Sequence, residues 1–360
     1  MSNEAAAFTP SRAPIEQGLR GTTVADAVLI AQQYLRAGMP RGALMVCEVA
    51  EALGMSGVSL TVCEATARLI LSDGPGAQAC LERVRAVAPN HAAALHVEAS
   101  LMLAGGYPRK AQTALERLVA MWPDYPGALA MLATLLLPGP PYREVLARLH
   151  AMLRPQRYLE VGVDTGATLA LATTAKIAAG VDPAPPPDPR GLPKSAICYQ
   201  LESDAFFARE SIGSVFGGAP VDLAFVDGMH LVEYALRDFA NVERWCTPQS
   251  TIVLHDCLPP TPIAAARVRA TMFWVGDVWK VLDVLLEHRP DLCISVVPTP
   301  PSGLVVVRGL DPNSTVLRER YDDIVSRYRD MAYPHTPVAW PSRYPIVTND
   351  PAGIDAALAR

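Results

Sequence analysis

The stretch YLEVGVDTG, residues 158–166, decides how the larger part of this chain folds. It begins as a short apolar run, and Gly162 and Gly166 then permit a tight turn. Six further short apolar runs follow it, and segments with helical spacing separate the first five runs from one another. The seven predicted strands are 158–161, 177–181, 196–200, 223–226, 251–254, 293–297 and 304–307.

Strands that alternate with helices predict an α/β doubly wound, Rossmann-like sheet whose strands are buried on both faces. The last two strands lie close together around the turn at 299–303, which predicts an antiparallel hairpin at the edge of the sheet. In a doubly wound sheet the ligand binds beyond the carboxyl ends of the strands, so a site is expected there.

An internal repeat precedes the sheet. Residues 77–95 align with 111–129 at nine identical positions, each displaced by 34 residues, and a weaker copy begins near Ala43. This displacement is the period of tetratricopeptide repeats. We therefore predict about three stacked helix pairs, an all-α module of the kind that contacts a protein partner or a second copy of the chain.

Five segments follow from these patterns. We predict a flexible N-terminal tail over 1–22, tetratricopeptide-like repeats over 23–137 and a proline-rich linker over 138–142. The α/β domain is predicted over 143–310, and a C-terminal helix with a Pro/aromatic tail over 311–360.

Composition excludes several classes of protein. Hydrophobic residues make up 50% of the chain and charged residues 19%, which argues against global disorder. The net charge of −5 disfavours a nucleic-acid-binding protein. No apolar run reaches the roughly 18 residues of a membrane-spanning helix. The N-terminus does not resemble a secretory signal, and the seven cysteines are dispersed, so we expect a cytoplasmic protein with reduced thiols.

A polar and mostly acidic group stands at the end of each of the first five strands. Turn chemistry explains one aspartate readily, but not a series of five such ends. From the first strand to the fifth, the candidates are Glu160, Gly162, Asp164, Thr165 and Gly166; Asp182; Ser203 and Asp204; Asp227, Gly228 and His230; His255 and Asp256.

The first loop favours a cationic nucleoside over a dinucleotide. A pyrophosphate requires G-x-G-x-x-G, whereas this loop has Gly162 and Gly166 with Asp164 between them, and an acidic group would repel phosphate. S-adenosylmethionine carries an ammonium and a sulfonium but no phosphate. Asp182 is then placed to accept hydrogen bonds from the ribose hydroxyls, and Ser203 and Asp204 would lie near the adenine.

Together with YLEVGVDTG, two later segments carry a family resemblance: DLAFVDGMH (222–230, with Asp238 after it) and IVLHD (252–256). The chain resembles class I S-adenosylmethionine-dependent methyltransferases, and among them methyltransferase family 24, over roughly 155–310. This resemblance implies a seven-stranded sheet and methyl transfer, usually to an oxygen of a small molecule or sugar. The cofactor would be held by the candidates from Glu160 to Gly228.

The proposed chemistry needs a group that removes a proton from the acceptor hydroxyl. Histidine suits this task, so His230 or His255, assisted by Asp256, is the expected catalytic group. For each residue a purely structural role, such as helix capping, is about as common. Lys280 is a candidate for binding an acidic acceptor.

The resemblance also implies Mg²⁺ held by Asp227 and Asp256. However, His255 stands where related enzymes have a carboxylate, and this leaves the metal open. Two other functions also stay open: a catalytically silent scaffold that binds a protein partner through the repeats, and an enzyme of NAD or nucleotide sugars.

Overall fold

A computed structural model describes residues 11–184, 186, 188–334 and 340–359. The chain divides into two compact units, Met1–Leu132 and Ala133–Arg360. The division falls inside a helix, slightly before the predicted end of the repeats at 137. Among the described helices, none combines the length and the apolar character needed to cross a bilayer.

The first unit is built from helices. They are α1 (Arg12–Leu19), α2 (Val24–Arg36), α3 (Pro40–Ala52), α4 (Val58–Ile70), α5 (Gly74–Val87), α6 (Ala92–Ala104), α7 (Pro108–Met121) and α8 (Ala128–Leu136), the last of which spans the division. Neighbouring helices pack as the pairs α2/α3, α4/α5 and α6/α7, as the repeat pattern predicts.

The 34-residue period of the sequence is also the period of the structure. Helix α7 begins and ends 34 residues after α5, and the equivalent pairs Ala77/Ala111 and Leu81/Leu115 are all buried. Proline at the first position of α3 and α7 costs no hydrogen bond, because that amide has no partner within a helix. The repeats therefore form tetratricopeptide-like helix pairs.

Part of the predicted tail over 1–22 is helical. Residues 1–10 lie outside the described part of the chain, whereas Arg12–Leu19 forms helix α1. Its apolar side chains Ile15 and Leu19 are buried in the same cluster as Ala27 and Val46, and this burial stabilises a helix too short to persist alone.

The second unit contains a seven-stranded sheet. Its strands are β1 (Arg157–Val161), β2 (Ile177–Val181), β3 (Ala196–Tyr199), β4 (Leu223–Val226), β5 (Thr251–His255), β6 (Cys293–Val297) and β7 (Leu304–Arg308). The spatial order is β3-β2-β1-β4-β5-β7-β6. Strands β1 to β5 are parallel, and β7 is antiparallel to both β5 and β6. The predicted doubly wound sheet and its edge hairpin are confirmed.

Successive strand residues point into two different apolar layers, as the pleat of a strand requires. In β5, Ile252 and Leu254 face one layer and Val253 faces the other. Helix α9 (Tyr142–Leu153) packs in the second layer. The first layer is covered mainly by α10 (Ser203–Arg209), α11 (Ile212–Phe216), α12 (Val232–Glu243), α13 (Trp279–His288), α14 (Val316–Glu319) and α15 (Tyr321–Tyr328).

Two predicted helices are replaced by turns. The described residues between β1 and β2 contain only a single 3₁₀ turn, Leu169–Leu171, and those between β2 and β3 only Pro189–Gly191. In the first connection, Gly162, Asp164 and Gly166 all have positive φ values (88°, 44° and 79°). The residues on which a helix would begin are therefore used for the turn.

The C-terminal segment belongs to the fold of this unit. Residue Ile346 forms a parallel bridge with Val296 of β6, so the edge of the sheet is partly covered. Helix α16 (Trp340–Arg343) precedes the bridge, and α17 (Pro351–Ala359) buries Ile354 and Ala357 in the second layer. Part of the predicted Pro/aromatic tail, residues 335–339, lies outside the described residues.

Candidate active site

The loops after β1 and β4 touch at the point where the strand order reverses. Gly162 has φ +88°, and a Cβ atom added there would lie 2.0 Å from the carbonyl oxygen of Asp227. Backbone hydrogen bonds fix both loops, from Gly162 N–H to Val181 O (2.9 Å) and from Asp227 N–H to Val161 O (2.8 Å). Only glycine fits this approach, and the crevice beside it is where open α/β sheets bind ligands.

A cavity of about 550 Å³ opens at this crevice. A volume of this size is typical of small-molecule sites. Nine of the predicted site residues line it: Gly162, Asp164, Thr165, Asp182, Ser203, Asp204, Asp227, Gly228 and His230. Sequence reasoning thus brought together residues from the ends of four strands.

Two of the lining acids also support the cavity wall. Asp182 accepts hydrogen bonds from the N–H groups of Val163 (2.8 Å), Asp164 (3.0 Å) and Ala184 (2.8 Å), so it shapes the β1 loop while facing the cavity. The Asp204 carboxylate binds Arg237 at 2.9 and 2.6 Å. This ion pair uses one acceptor position on each oxygen of Asp204, and Ser203 lines the cavity beside it.

Glu160 and Gly166 differ from the prediction, because neither is among the described residues that line the cavity. Glu160 is fully buried below the loop and accepts hydrogen bonds from Tyr158 Oη (2.6 Å) and Thr168 Oγ1 (2.8 Å). Gly166 turns toward Leu192 instead. An acid within a strand points to one of the two faces, and Glu160 points into the buried layer rather than along the strand axis.

Replacing Glu160 with glutamine should reduce the pH dependence of stability. Burial raises the pKa of Glu160 to about 8, although hydrogen bonds from Tyr158 and Thr168 oppose the increase. The folded protein then binds more protons than the unfolded chain, so stability is lost as pH rises from about 5 to 8. We expect urea denaturation to show a smaller decrease between these pH values in Glu160→Gln.

Asp238 is the control for that measurement. Burial also raises the pKa of Asp238, to about 7, so Asp238→Asn should reduce the pH dependence mainly below pH 7. An unchanged pH dependence in Glu160→Gln would show that Glu160 is ionised in the folded protein throughout this range.

Four titratable side chains meet beside the cavity and form a histidine–aspartate cluster: Asp227, His230, His255 and Asp256. His255 Nδ1 lies 3.1 Å from Asp227 Oδ1 and 3.3 Å from Asp256 Oδ1. His230 Nδ1 lies 3.1 Å from Asp256 Oδ2, and its Nε2 lies 3.6 Å from Asp227 Oδ1. Each imidazole therefore contacts both aspartates. His230 faces the cavity, whereas the His255 side chain is only 8% exposed and lies behind it.

The histidines and the aspartates of the cluster alter each other's pKa values. Burial would lower the pKa of His230, but Asp227 and Asp256 raise it to about 9. Burial would raise the pKa of Asp227, but His255 and His230 hold it well below its usual range. Burial dominates at Asp256 and raises its pKa. Such opposed shifts within one cleft are typical of functional sites.

Backbone strain is concentrated at the same place. Asp164 and Asp256 have φ values of 44° and 62°, in the left-handed region that non-glycine residues rarely adopt. Strain of this kind persists only where surrounding contacts impose it, and it is common at active sites.

Sequence reasoning missed Tyr142 and Arg143, which line the cavity from the start of α9. The Tyr142 ring lies 4.3 Å from the His255 ring, and Arg143 Nε donates to Tyr142 Oη at 3.2 Å. Burial raises the pKa of Tyr142. Tyr142 is the last residue of the predicted linker and Arg143 follows it, so no sequence signal marks either as part of the site.

Sequence reasoning also missed Ser302, on the turn before β7. Its hydroxyl donates to Asp256 Oδ1 at 2.5 Å and lies 3.4 Å from His255 Nε2. The residue comes from the edge hairpin, far from the predicted loops along the chain. Only the antiparallel pairing of β7 with β5 brings it to the cluster.

The ligand atoms of Asp227, His230 and Asp256 lie within 4.8 Å of one another, which is close enough for one cation. The set fits Mg²⁺ poorly, because this ion prefers an octahedron of oxygen ligands. Here an imidazole belongs to the set, and a second one, His255, already contacts both carboxylates. Mg²⁺ at Asp227 and Asp256 therefore stays a prediction.

Comparison with known families identifies the segment that carries these loops. Residues 159–257 match the model of a family described as a methyltransferase domain, methyltransferase family 24. Residues 159–257 are a methyltransferase domain. The match runs from β1 to the residue after Asp256, so the methyltransferase domain includes all four members of the histidine–aspartate cluster.

Solved structures give further similarities to the chain. One is an O-methyltransferase from Bacillus cereus in complex with SAH (10% identity, 55% of this chain and 97% of that chain, TM-score 0.34). Another is the O-methyltransferase TomG from Streptomyces achromogenes, involved in tomaymycin synthesis, in complex with SAM (14% identity, 47% of this chain and 80% of that chain, TM-score 0.35). A third is MamA (17% identity, 34% of this chain and 74% of that chain, TM-score 0.30). The search of curated proteins found no match.

Proposed function

We propose that the methyltransferase domain transfers a methyl group from S-adenosylmethionine to an oxygen of a small polar acceptor, such as a sugar or a secondary metabolite. The observation that carries this proposal is the cavity at the junction of β1 and β4. Five carboxylates line it, those of Asp164, Asp182, Glu202, Asp204 and Asp227, and the histidine–aspartate cluster stands at its wall.

The lining residues fit the cofactor. Asp182 lines the cavity where it would accept hydrogen bonds from the ribose hydroxyls. Ser203, which follows the next strand β3, lines the cavity where the adenine would lie. Asp164 and Asp227 supply negative charge for the ammonium and sulfonium groups, which would be repelled by a phosphate-binding loop. When bound, S-adenosylmethionine supplies an electrophilic methyl group, and the protein contributes orientation and proton removal.

The cluster supports proton removal from the acceptor hydroxyl. The neutral form of His230 is the minor form below its pKa of about 9, and in that form His230 is the imidazole that faces the cavity and accepts the proton. Asp227 and Asp256 then stabilise the resulting imidazolium, since both lie within 3.6 Å of its nitrogens. His255 shares the two aspartates from the buried side and holds them in place.

Calorimetry with S-adenosylhomocysteine and with NAD separates this function from its two alternatives. Binding of S-adenosylhomocysteine alone supports the proposal, and binding of NAD alone favours a dinucleotide or nucleotide-sugar enzyme. Binding of neither ligand favours the silent scaffold. Turnover is then measured as methyl transfer from labelled S-adenosylmethionine to a panel of hydroxylated sugars and phenols.

Asp182→Asn should weaken binding of S-adenosylhomocysteine by about tenfold. The amide cannot accept all three backbone N–H groups that the carboxylate accepts, so a donor is left unsatisfied or the β1 loop shifts. Isothermal calorimetry measures the change. The control is Asp188→Asn, an exposed acid in the same connection whose side-chain partner among the described residues is Arg190. Equal affinities for Asp182→Asn and the unchanged protein would remove Asp182 from the cofactor site.

The helical repeats keep their predicted role as a contact surface for a protein partner or a second copy. A groove of about 270 Å³ lies on α6 and α7, with the apolar Leu95, Met102 and Ala114 between charged side chains. Sedimentation of the full chain tests the second-copy arrangement.

A further inference from the structure

The segment 258–278, between β5 and α13, has no regular helix or strand and approaches His230 closely. The ring of Trp274 stacks on His230, with centroids 5.5 Å apart and an interplanar angle of 26°. Trp274 itself is held by a hydrogen bond from Nε1 to the carbonyl of Ala266 at 2.6 Å. One face of the candidate base is thus covered by this segment.

The segment also contacts the backbone of His230. Asp277 N–H donates to His230 O at 3.1 Å, and Asp277 Oδ1 accepts from Val232 N–H at 2.8 Å. The preceding residue, Gly276, has φ +62°, and a Cβ added there would lie 1.8 Å from His230 O. The Asp277 side chain and the close approach of Gly276 therefore fix the backbone on both sides of Leu231, at the start of α12.

Asp277 is held in turn by two cations. Its Oδ2 accepts from Arg267 Nη1 at 2.9 Å and from Lys280 Nζ at 2.8 Å, and Asp277 and Lys280 are each only 1% exposed. Arg267 also binds Glu233 of α12, and Lys280 donates to the carbonyl of Arg329. A buried carboxylate with this number of partners has very little freedom to move.

We propose that Asp277 is a positioning residue for His230. It fixes the turn from which the imidazole projects and keeps Trp274 against the ring, so that His230 faces both the cavity and the two aspartates. No described contact joins Asp277 to a side-chain atom of the cluster, so its effect passes through the backbone of 230–232 and the stacked indole. This inference rests on the proposed function, in which His230 is the base.

Asp277→Ala and the milder Asp277→Asn test the proposal by NMR of ¹³C-labelled histidine. Stacking on an indole shifts the His230 Hε1 resonance upfield, and His230→Gln identifies that resonance. We expect the upfield shift to be lost in Asp277→Ala and reduced in Asp277→Asn. Because a displacement of about 1 Å can cost up to a hundredfold in rate, transfer should fall at least about tenfold, with the KM for S-adenosylmethionine little changed.

Glu243→Gln is the matched control. Glu243 lies on the same helix, is 3% exposed and binds the buried Arg289 at 2.7 Å, but lies at the far end of α12 from His230. The Glu243→Gln replacement should lower the free energy of unfolding without moving the His230 resonance or changing the rate of methyl transfer. Should Asp277→Ala fail to fold, Arg267→Gln removes one cation from Asp277 and should give a partial shift.

A folded Asp277→Ala with an unchanged His230 resonance would overturn the positioning role. A lost upfield shift with full transfer activity would support the placement of His230 by Asp277 and refute His230 as the base. The two failures are therefore distinguishable, because the resonance does not depend on turnover.

Discussion

Gly162→Ala should abolish measurable binding of S-adenosylhomocysteine. The new Cβ would lie 2.0 Å from the Asp227 carbonyl oxygen, and the neighbours at 2.4 and 2.8 Å are also backbone atoms. These loop atoms are held by the hydrogen bond from Asp227 N–H to Val161 O and cannot rotate away as a flexible side chain can. The β1 and β4 loops would have to separate, and this moves Asp227 and Gly228 out of the cavity wall together.

Gly218→Ala separates this steric effect from simple backbone strain. Gly218 has φ +81°, close to the +88° of Gly162, but an added Cβ would have no neighbour within 4 Å. Both variants carry the cost of a left-handed alanine, about 1–2 kcal/mol, and only Gly162→Ala carries the clash. We expect Gly218→Ala to bind S-adenosylhomocysteine normally in calorimetry. Affinity within threefold of normal in Gly162→Ala would show that the two loops are not in the contact described.

His230→Gln should lower the rate of methyl transfer by about a hundredfold to ten-thousandfold, the range typical of a lost general base. Cofactor affinity should change little, because glutamine keeps most of the volume that lines the cavity. The measurement is single-turnover transfer to whichever acceptor the panel identifies, together with calorimetry for S-adenosylhomocysteine.

His255→Gln and His288→Gln complete the comparison. His255 lies behind the cavity, so its replacement should act through Asp227 and Asp256 and slow transfer less than His230→Gln. His288 lies on α13 and contacts Arg320, away from the cavity, and its replacement should leave transfer unchanged. If His255→Gln proved the slower enzyme, the buried imidazole would be the base. If neither change slowed transfer, proton removal would not require either histidine.

The sheet could be predicted from the sequence because its strands have a simple pattern. The parallel strands β1, β2, β4 and β5 are short apolar runs buried on both faces, and such runs stand out against helices of mixed polarity. The edge strand β3 departs from the prediction, because its residues are partly or largely exposed. The carboxyl ends of parallel strands share one edge, so the polar residues after them, such as Asp182 and Asp227, had to lie near one another.

Other features depend on contacts that a linear pattern does not contain. Glu160 follows the same logic as Asp182, yet its position inside β1 points it into the buried layer. Lys280 was expected to be free for an acidic acceptor, but it lies on a helix that begins only at Trp279, and Asp277 neutralises it in the interior. Tyr142 reaches the cluster only because the helix that it begins packs on the sheet.

The order in which the chain is synthesised bears on when the pocket can form. The start of α9, which carries Tyr142, is fixed by a backbone hydrogen bond to Pro300 O, and the prolines before it are held by Thr299 and by the amide of Asn349. A nascent polypeptide has none of these late residues while its first helices leave the ribosome. The repeats make mostly local contacts and can fold as they emerge. The contacts that fix the Tyr142 wall of the pocket form only once translation has passed residue 349, so a chain truncated before that residue would have folded repeats and an incompletely fixed pocket wall.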